Sequence, residues 1–108
     1  MEIINMIVLK ENGNIIEIKL DMDANKNELG DYLEDKLTFL GQIVREPEKT
    51  NIIIISGLNS QKLNKGINKC KLPEPFDKDI VYGDIVLLPM NEKSEPENIL
   101  ISEYYDLF

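Results

Sequence analysis

Ile3-Ile4-Asn5-Met6-Ile7-Val8-Leu9-Lys10-Glu11-Asn12-Gly13-Asn14-Ile15-Ile16-Glu17-Ile18-Lys19-Leu20 is the stretch from which the fold follows. Two apolar runs flank Asn12-Gly13, a dipeptide that tolerates the positive φ of a type I′ turn, so the stretch reads as a β-hairpin with a two-residue loop. Pairing outward from that loop sets Leu9 opposite Ile16, Ile7 opposite Ile18 and Asn5 opposite Leu20. The alternate positions pair Lys10 with Ile15, Val8 with Glu17 and Met6 with Lys19. In this register Ile7, Leu9, Ile16, Ile18 and Leu20 share one aliphatic face and the other face is mixed. That pattern suits a sheet with one side against a core.

Downstream, Asn25 followed by Glu28 resembles a capping box, and Leu29, Tyr32, Leu33, Leu37 and Leu40 follow helical spacing. With Gly41 as a C′ residue, the reading is one main helix, Lys26–Leu40. Gln42 to Arg45 reads equally as a last helical turn or a short strand. The run Asn51-Ile52-Ile53-Ile54-Ile55-Ser56 has four successive β-branched residues, which predicts an interior strand apolar on both faces. Residues 57–79 carry little periodicity and read as a long irregular loop. Ile85-Val86-Leu87-Leu88 reads as a buried strand stopped by Pro89, Asn91 to Glu97 as a charged turn, and Ile99-Leu100-Ile101 as a short strand. Ser102 is placed to cap a terminal helical turn. The expected fold is α+β in a single domain, 1–108. It has a mixed β-sheet of four or five strands, an N-terminal hairpin, and one main helix packed on one face.

Composition narrows the chemistry. The 108 residues include no histidine and one cysteine, Cys70. Ser-His-Asp and Cys-His catalysis and a structural zinc site built within one chain are therefore excluded. No apolar run approaches the roughly 18–20 residues that span a bilayer. The N-terminus lacks a basic n-region, and the cysteine count favours a reducing compartment, so a cytoplasmic or nuclear location is expected. Twenty acidic against twelve basic residues give a net charge of −8, which opposes non-specific nucleic-acid binding. The charge is uneven: from Lys49 to Pro73 there is no acidic residue, and Lys49, Lys62, Lys65, Lys69 and Lys71 make that stretch positive.

Individual groups add little. Cys70 lies between Lys69 and Lys71, whose charge favours a thiolate, yet no histidine base accompanies it. Asp21 with Asp23, and Asp77 with Asp79, alternate as cation ligands do, but neither pair sits in a calcium-loop pattern and both read as solvated turns. The glycines form no phosphate-binding motif. Tyr104, Tyr105 and Phe108 form an aromatic tail that either packs on the domain or anchors an interface. Leu72-Pro73-Glu74-Pro75-Phe76 favours a polyproline II conformation, as a proline-rich ligand or as a connector.

Two resemblances follow from these residues. Lys71-Leu72-Pro73-Glu74-Pro75-Phe76, then Tyr82-Gly83-Asp84-Ile85, then Glu103-Tyr104-Tyr105 resemble segments of small uncharacterised proteins of large nucleocytoplasmic DNA viruses. That resemblance implies a viral origin and a host-cell cytoplasmic location, and no activity. The order hairpin, helix, further strands is similar to the β-grasp (ubiquitin-like) order.

The expected function is that of a small non-enzymatic interaction module binding a protein partner, with no cofactor, no metal and no catalytic residue. Its expected contact region is Lys62, Lys65, Lys69, Lys71, Leu72, Pro73, Pro75 and Phe76. Deleting Gln61–Cys70 is expected to leave the fold largely intact and to abolish partner binding. The alternative is a nucleic-acid-associated accessory protein using the basic segment 62–71.

Overall fold

The computed structural model describes residues 2–23, 25–45, 50–72 and 75–107, without the side chains of Arg45 and Leu107. In chain order the elements are β1 (Ile3–Leu9), β2 (Ile15–Asp21), α1 (Glu28–Leu33), β3 (Leu37–Arg45), β4 (Thr50–Gly57), β5 (Ile85–Met90) and α2 (Ile101–Leu107). The strands form one sheet in the order β2-β1-β5-β4-β3, and every neighbouring pair is antiparallel. The mixed sheet expected from the sequence is thus replaced by a wholly antiparallel one. The strand β5 enters between the two hairpins.

The hairpin is present, but its register is shifted by one residue. Leu9 pairs with Ile15, Val8 with Ile16, Ile7 with Glu17 and Met6 with Ile18. The loop holds three residues rather than two. Lys10 N–H donates to the Asn14 carbonyl and Gly13 N–H to the Lys10 carbonyl, and of Asn12 and Gly13 only Gly13 has positive φ, +99°. This is a type I turn followed by a glycine bulge, the other loop that Asn-Gly serves well. A one-residue slip turns a whole strand over. Ile16, Ile18 and Leu20 consequently join Ile4, Met6 and Val8 on one face, while Ile7 and Leu9 pack on the other. The expected single aliphatic face of Ile7, Leu9, Ile16, Ile18 and Leu20 does not exist. β1 lies inside the sheet and is buried on both sides.

Two cores result. On one face, Ile4, Met6, Val8, Ile55, Val86 and Leu88 pack against Leu29 and Leu33 of α1. On the other, Ile7, Leu9, Ile52, Ile54, Ile85 and Leu87 are covered by Leu72, Val81, Ile99 and Tyr104, with Phe76 and Ile101 at the margin. The expected strand at Ile52–Ile55 is interior, paired with β3 on one side and β5 on the other. Its four β-branched side chains supply both cores.

The expected helix Lys26–Leu40 is only six residues long, and its second half is strand. Glu34 takes the left-handed conformation (φ 54°) and ends α1. Leu37, Phe39, Ile43 and Val44 then suit a pleated edge better than a helix. Gln42 to Arg45 are strand, and Gly41, expected as a helix C′ residue, sits in β3 beside a bulge at Phe39/Gly41. Its lack of a side chain leaves room for the Phe76 ring, which occupies the space a Cβ would fill. The capping box is absent as well. Asn27 is the N-cap without a side-chain bond, and the Glu28 carboxylate instead accepts the Asp21 N–H at 3.0 Å.

β5 runs through Pro89 to Met90 instead of stopping before it. A proline is tolerated here because β1 pairs only with residues 85–87. At Pro89 the side of β5 away from β4 is met by Glu97, whose N–H donates to the Pro89 carbonyl at 2.9 Å. Ile99-Leu100-Ile101 is not a strand: Ile99 N–H donates to the Asn5 carbonyl and Ile101 begins α2. That helix is capped from two directions. Glu103 accepts the Leu100 N–H at 3.1 Å, and Glu17 of β2 accepts the Ile101 N–H at 2.8 Å. Ser102, expected as the cap, lies inside the helix.

Candidate interaction surface

The loop after β4 is fastened to the sheet at several points. Asn68, 9% exposed, donates its amide to the Leu9 and Gly83 carbonyls, both at 2.8 Å. Ile67 bridges to Tyr82, the Lys69 N–H donates to the Glu11 carbonyl, and the Gly66 N–H donates to the Glu11 carboxylate at 2.6 Å. Buried backbone groups need such partners, which is how a segment without periodicity still holds one conformation.

The eight expected contact residues are therefore divided. Lys62, Lys69, Lys71 and Pro75 are exposed. Lys65 is drawn back, its ammonium donating to the Leu33 carbonyl at 2.7 Å and so capping the C-terminal end of α1. Leu72, 5% exposed, belongs to the core. Phe76 is half-buried over Gly41, which makes the segment from Pro75 a strap over the sheet. Pro73 lies outside the described residues, as do Lys49, Glu74 and Phe108. Of the aromatic tail, Tyr104 is buried and Tyr105 exposed, their rings meeting edge to face at 5.4 Å.

The candidate nucleophile and ligands have structural work. Burial, reinforced by Asp84, pushes the Cys70 thiol above its ordinary range, against the thiolate expected from its lysine neighbours; the sulfur faces the Lys10 carbonyl at 3.5 Å. Asp21 is 3% exposed. Its carboxylate accepts the Lys26 ammonium at 2.9 Å and the Glu2 and Asp23 N–H groups at 3.0 Å, which hold it far below the usual carboxylate range. Those bonds tie the end of β2 to the approach to α1. Asp77 is half-buried and Asp79 exposed. Among the described residues no three His, Cys, Asp or Glu side chains converge as a metal site would require.

What the fold leaves open is one end of the α1 face. The six residues of α1 do not reach over the outer part of β3, β4 and β5. An open groove of about 470 Å³ remains there, lined by Phe39, Gln42, Asn51, Ile53, Met90, Asn91 and Ser94 together with Leu40 and Gly41. Among the described residues no lining side chain is charged, on a chain of net charge −8. Phe39 is 67% exposed and Val44, farther along β3, 56%. Apolar side chains beside amides and a hydroxyl are the composition of a binding groove. The sequence pattern hides it because Leu37 to Leu40 read as helix and Gln42 to Arg45 equally as a last helical turn or a short strand. In a strand with a bulge at Phe39/Gly41, Phe39, Gln42 and Val44 fall on one face.

Against known proteins, the chain matches a family of unknown function, DUF5880, over residues 7–107, and it belongs to that family. No curated protein and no solved structure matches it. No helix among the described residues is long and apolar enough to cross a membrane.

Proposed function

We propose that this protein is a non-enzymatic protein-interaction module whose contact surface is the open groove on the α1 face. The observation that carries the reading is Phe39: a phenylalanine two-thirds exposed at the rim of an uncharged groove. Exposed apolar side chains clustered in a concavity mark recognition surfaces, and aromatic residues contribute disproportionately to binding. The fitting partner is a protein presenting an apolar side chain to Phe39, Ile53 and Met90, with polar groups for Gln42, Asn51 and Asn91. Lys62, Lys69 and Lys71 lie outside the groove lining and steer an acidic partner rather than anchoring it. A virus-encoded origin and a cytoplasmic or nuclear site of action accord with this role.

The alternative is nucleic-acid association through the same three lysines, which the net charge opposes. The test captures partners from the native source with the wild-type chain, with Phe39→Asp, and with a Lys62/Lys69/Lys71→Glu triple variant. Loss with Phe39→Asp and retention with the triple variant support the groove. The reverse pattern, with retention of nucleic acid that falls steeply as salt rises, overturns it.

A further inference from the structure

β3 is the outer strand on its side of the sheet, so half of its backbone groups face no neighbouring strand among the described residues. Two hydrogen bonds fix which half. Leu58 N–H donates to the Lys36 carbonyl at 2.7 Å, so Lys36 points towards β4 and, by alternation, Leu37 and Phe39 point out. Beyond the bulge, the Pro89 carbonyl faces Glu97, away from β4. Ile52, opposite Pro89, therefore directs its backbone towards Ile43 of β3, which leaves Gln42 and Val44 pointing out.

The outward residues are thus Leu37, Phe39, Gln42 and Val44, spaced by two, three and two positions, because the bulge places both Leu40 and Gly41 between the halves. A regular strand spaces its outward groups by two throughout and matches one half of this edge. A second β3 running antiparallel carries the same two-three-two spacing and matches both, Leu37 opposite Val44 and Phe39 opposite Gln42. We propose that the protein self-associates through β3, a two-fold axis passing between Leu40 and Gly41 of the two copies and joining their sheets into one.

The side chains agree with the backbone. Opposite Gly57, Ile55, Ile53 and Asn51 of β4, the four outward residues all lie on the α1 face. Cross-strand pairing then covers Val44 with Leu37 of the second copy and lays Phe39 against the Gln42 stem. Each copy carries a net charge of −8. That repulsion is screened by salt, so association strengthens as ionic strength rises. Phe39 and Gln42 belong to both surfaces, so self-association competes with partner binding at the groove, of which the second copy leaves Ile53 and Met90 uncovered.

Sedimentation equilibrium on the full chain, at low and high salt, tests the proposal. The expected result is a reversible monomer–dimer equilibrium whose association constant rises with salt. Gln42→Pro removes an outward N–H and leaves the ladder to β4 intact, a position where an edge strand tolerates proline. It is expected to weaken association at least tenfold with an unchanged circular dichroism spectrum. Val44→Lys, at an exposed position, does the same without altering the backbone and stands in if the proline variant does not fold. A monomer at all concentrations and salts overturns the proposal. So does a dimer that Val44→Lys leaves intact, or a monomer that instead adds an unrelated extended peptide at this edge.

Discussion

Replacing Gly41 with alanine asks whether the strap that begins at Pro75 is held by the contact between its Phe76 ring and a bare stretch of β3. The Gly41 backbone does not itself demand glycine, since its φ is not positive. An alanine Cβ there would fall within the Phe76 ring, and even Cε2 would lie 3.3 Å from it. Carbon atoms rest about 3.5–4.0 Å apart, so the ring must withdraw by an ångström or more. Overpacking of this kind costs about 1–3 kcal/mol. Against it stands the gain of about 0.5–1 kcal/mol from removing a glycine inside a strand. The net expectation is a loss of about 1–2 kcal/mol for Gly41→Ala in the wild-type background. With Phe76→Ala already present the obstruction is gone, and the same substitution stabilises by about 0.5–1 kcal/mol. Equilibrium urea unfolding of the four proteins, followed by far-ultraviolet circular dichroism, measures the double-mutant cycle. The coupling expected is about 2 kcal/mol, with a change of sign between backgrounds. If Gly41→Ala has the same effect with and without Phe76, the ring does not rest on this strand and the strap is held elsewhere.

Asn68→Ala leaves the Leu9 and Gly83 carbonyls without their donors and should lower unfolding stability by about 1–3 kcal/mol in the same assay. Glu17→Ala removes an acceptor from the first turn of α2, a loss of about 0.5–2 kcal/mol, and should speed hydrogen exchange at Ile101 before exchange elsewhere rises. Asp21 titrates below its ordinary 3.8 in the folded state. Its contribution is therefore fully present above that value and lost as pH falls through the depressed one; Asp21→Asn should flatten the acid limb of stability against pH below about pH 4. Lys26 shifts the opposite way, so its contribution persists below 10.5 and disappears only as pH rises through the elevated value. Cys70, with its thiol raised by burial, should react with iodoacetamide more slowly than a free peptide thiol at neutral pH and reach parity on unfolding.

The sequence yielded strands more readily than their partners. Ile52 to Ile55 could be read because four β-branched residues in a row satisfy an interior strand and little else. The hairpin was legible in kind but not in register, since Asn12-Gly13 serves a two-residue loop and a three-residue loop with a glycine bulge equally well. Leu29, Tyr32, Leu33, Leu37 and Leu40 satisfied a helical period that the chain abandons at Glu34, where one left-handed residue ends α1. Misreading that boundary hid β3, and with β3 the groove and the free edge. The basic loop looked dispensable because its stabilising bonds come from Asn68 and from backbone groups, neither of which leaves a periodic apolar trace. Leu72 and Phe76, which pack on the core, follow that loop in the chain.

The position of β5 also shapes the order in which the molecule can assemble. A chain synthesised as far as Gly57 holds two hairpins, β1 with β2 and β3 with β4, each apolar on surfaces that the other cannot cover. Two-stranded hairpins are marginal alone in water. Only when residues 85–90 slot between β1 and β4 do the pairs become one sheet with two filled cores. The last strand made is thus the keystone. Pairing Ile7 with Leu87 closes a long stretch of chain before the contacts reward it, which slows folding and prolongs exposure of sticky edges. A truncation anywhere before Ile85 should therefore yield not a smaller domain but two orphaned hairpins prone to aggregate.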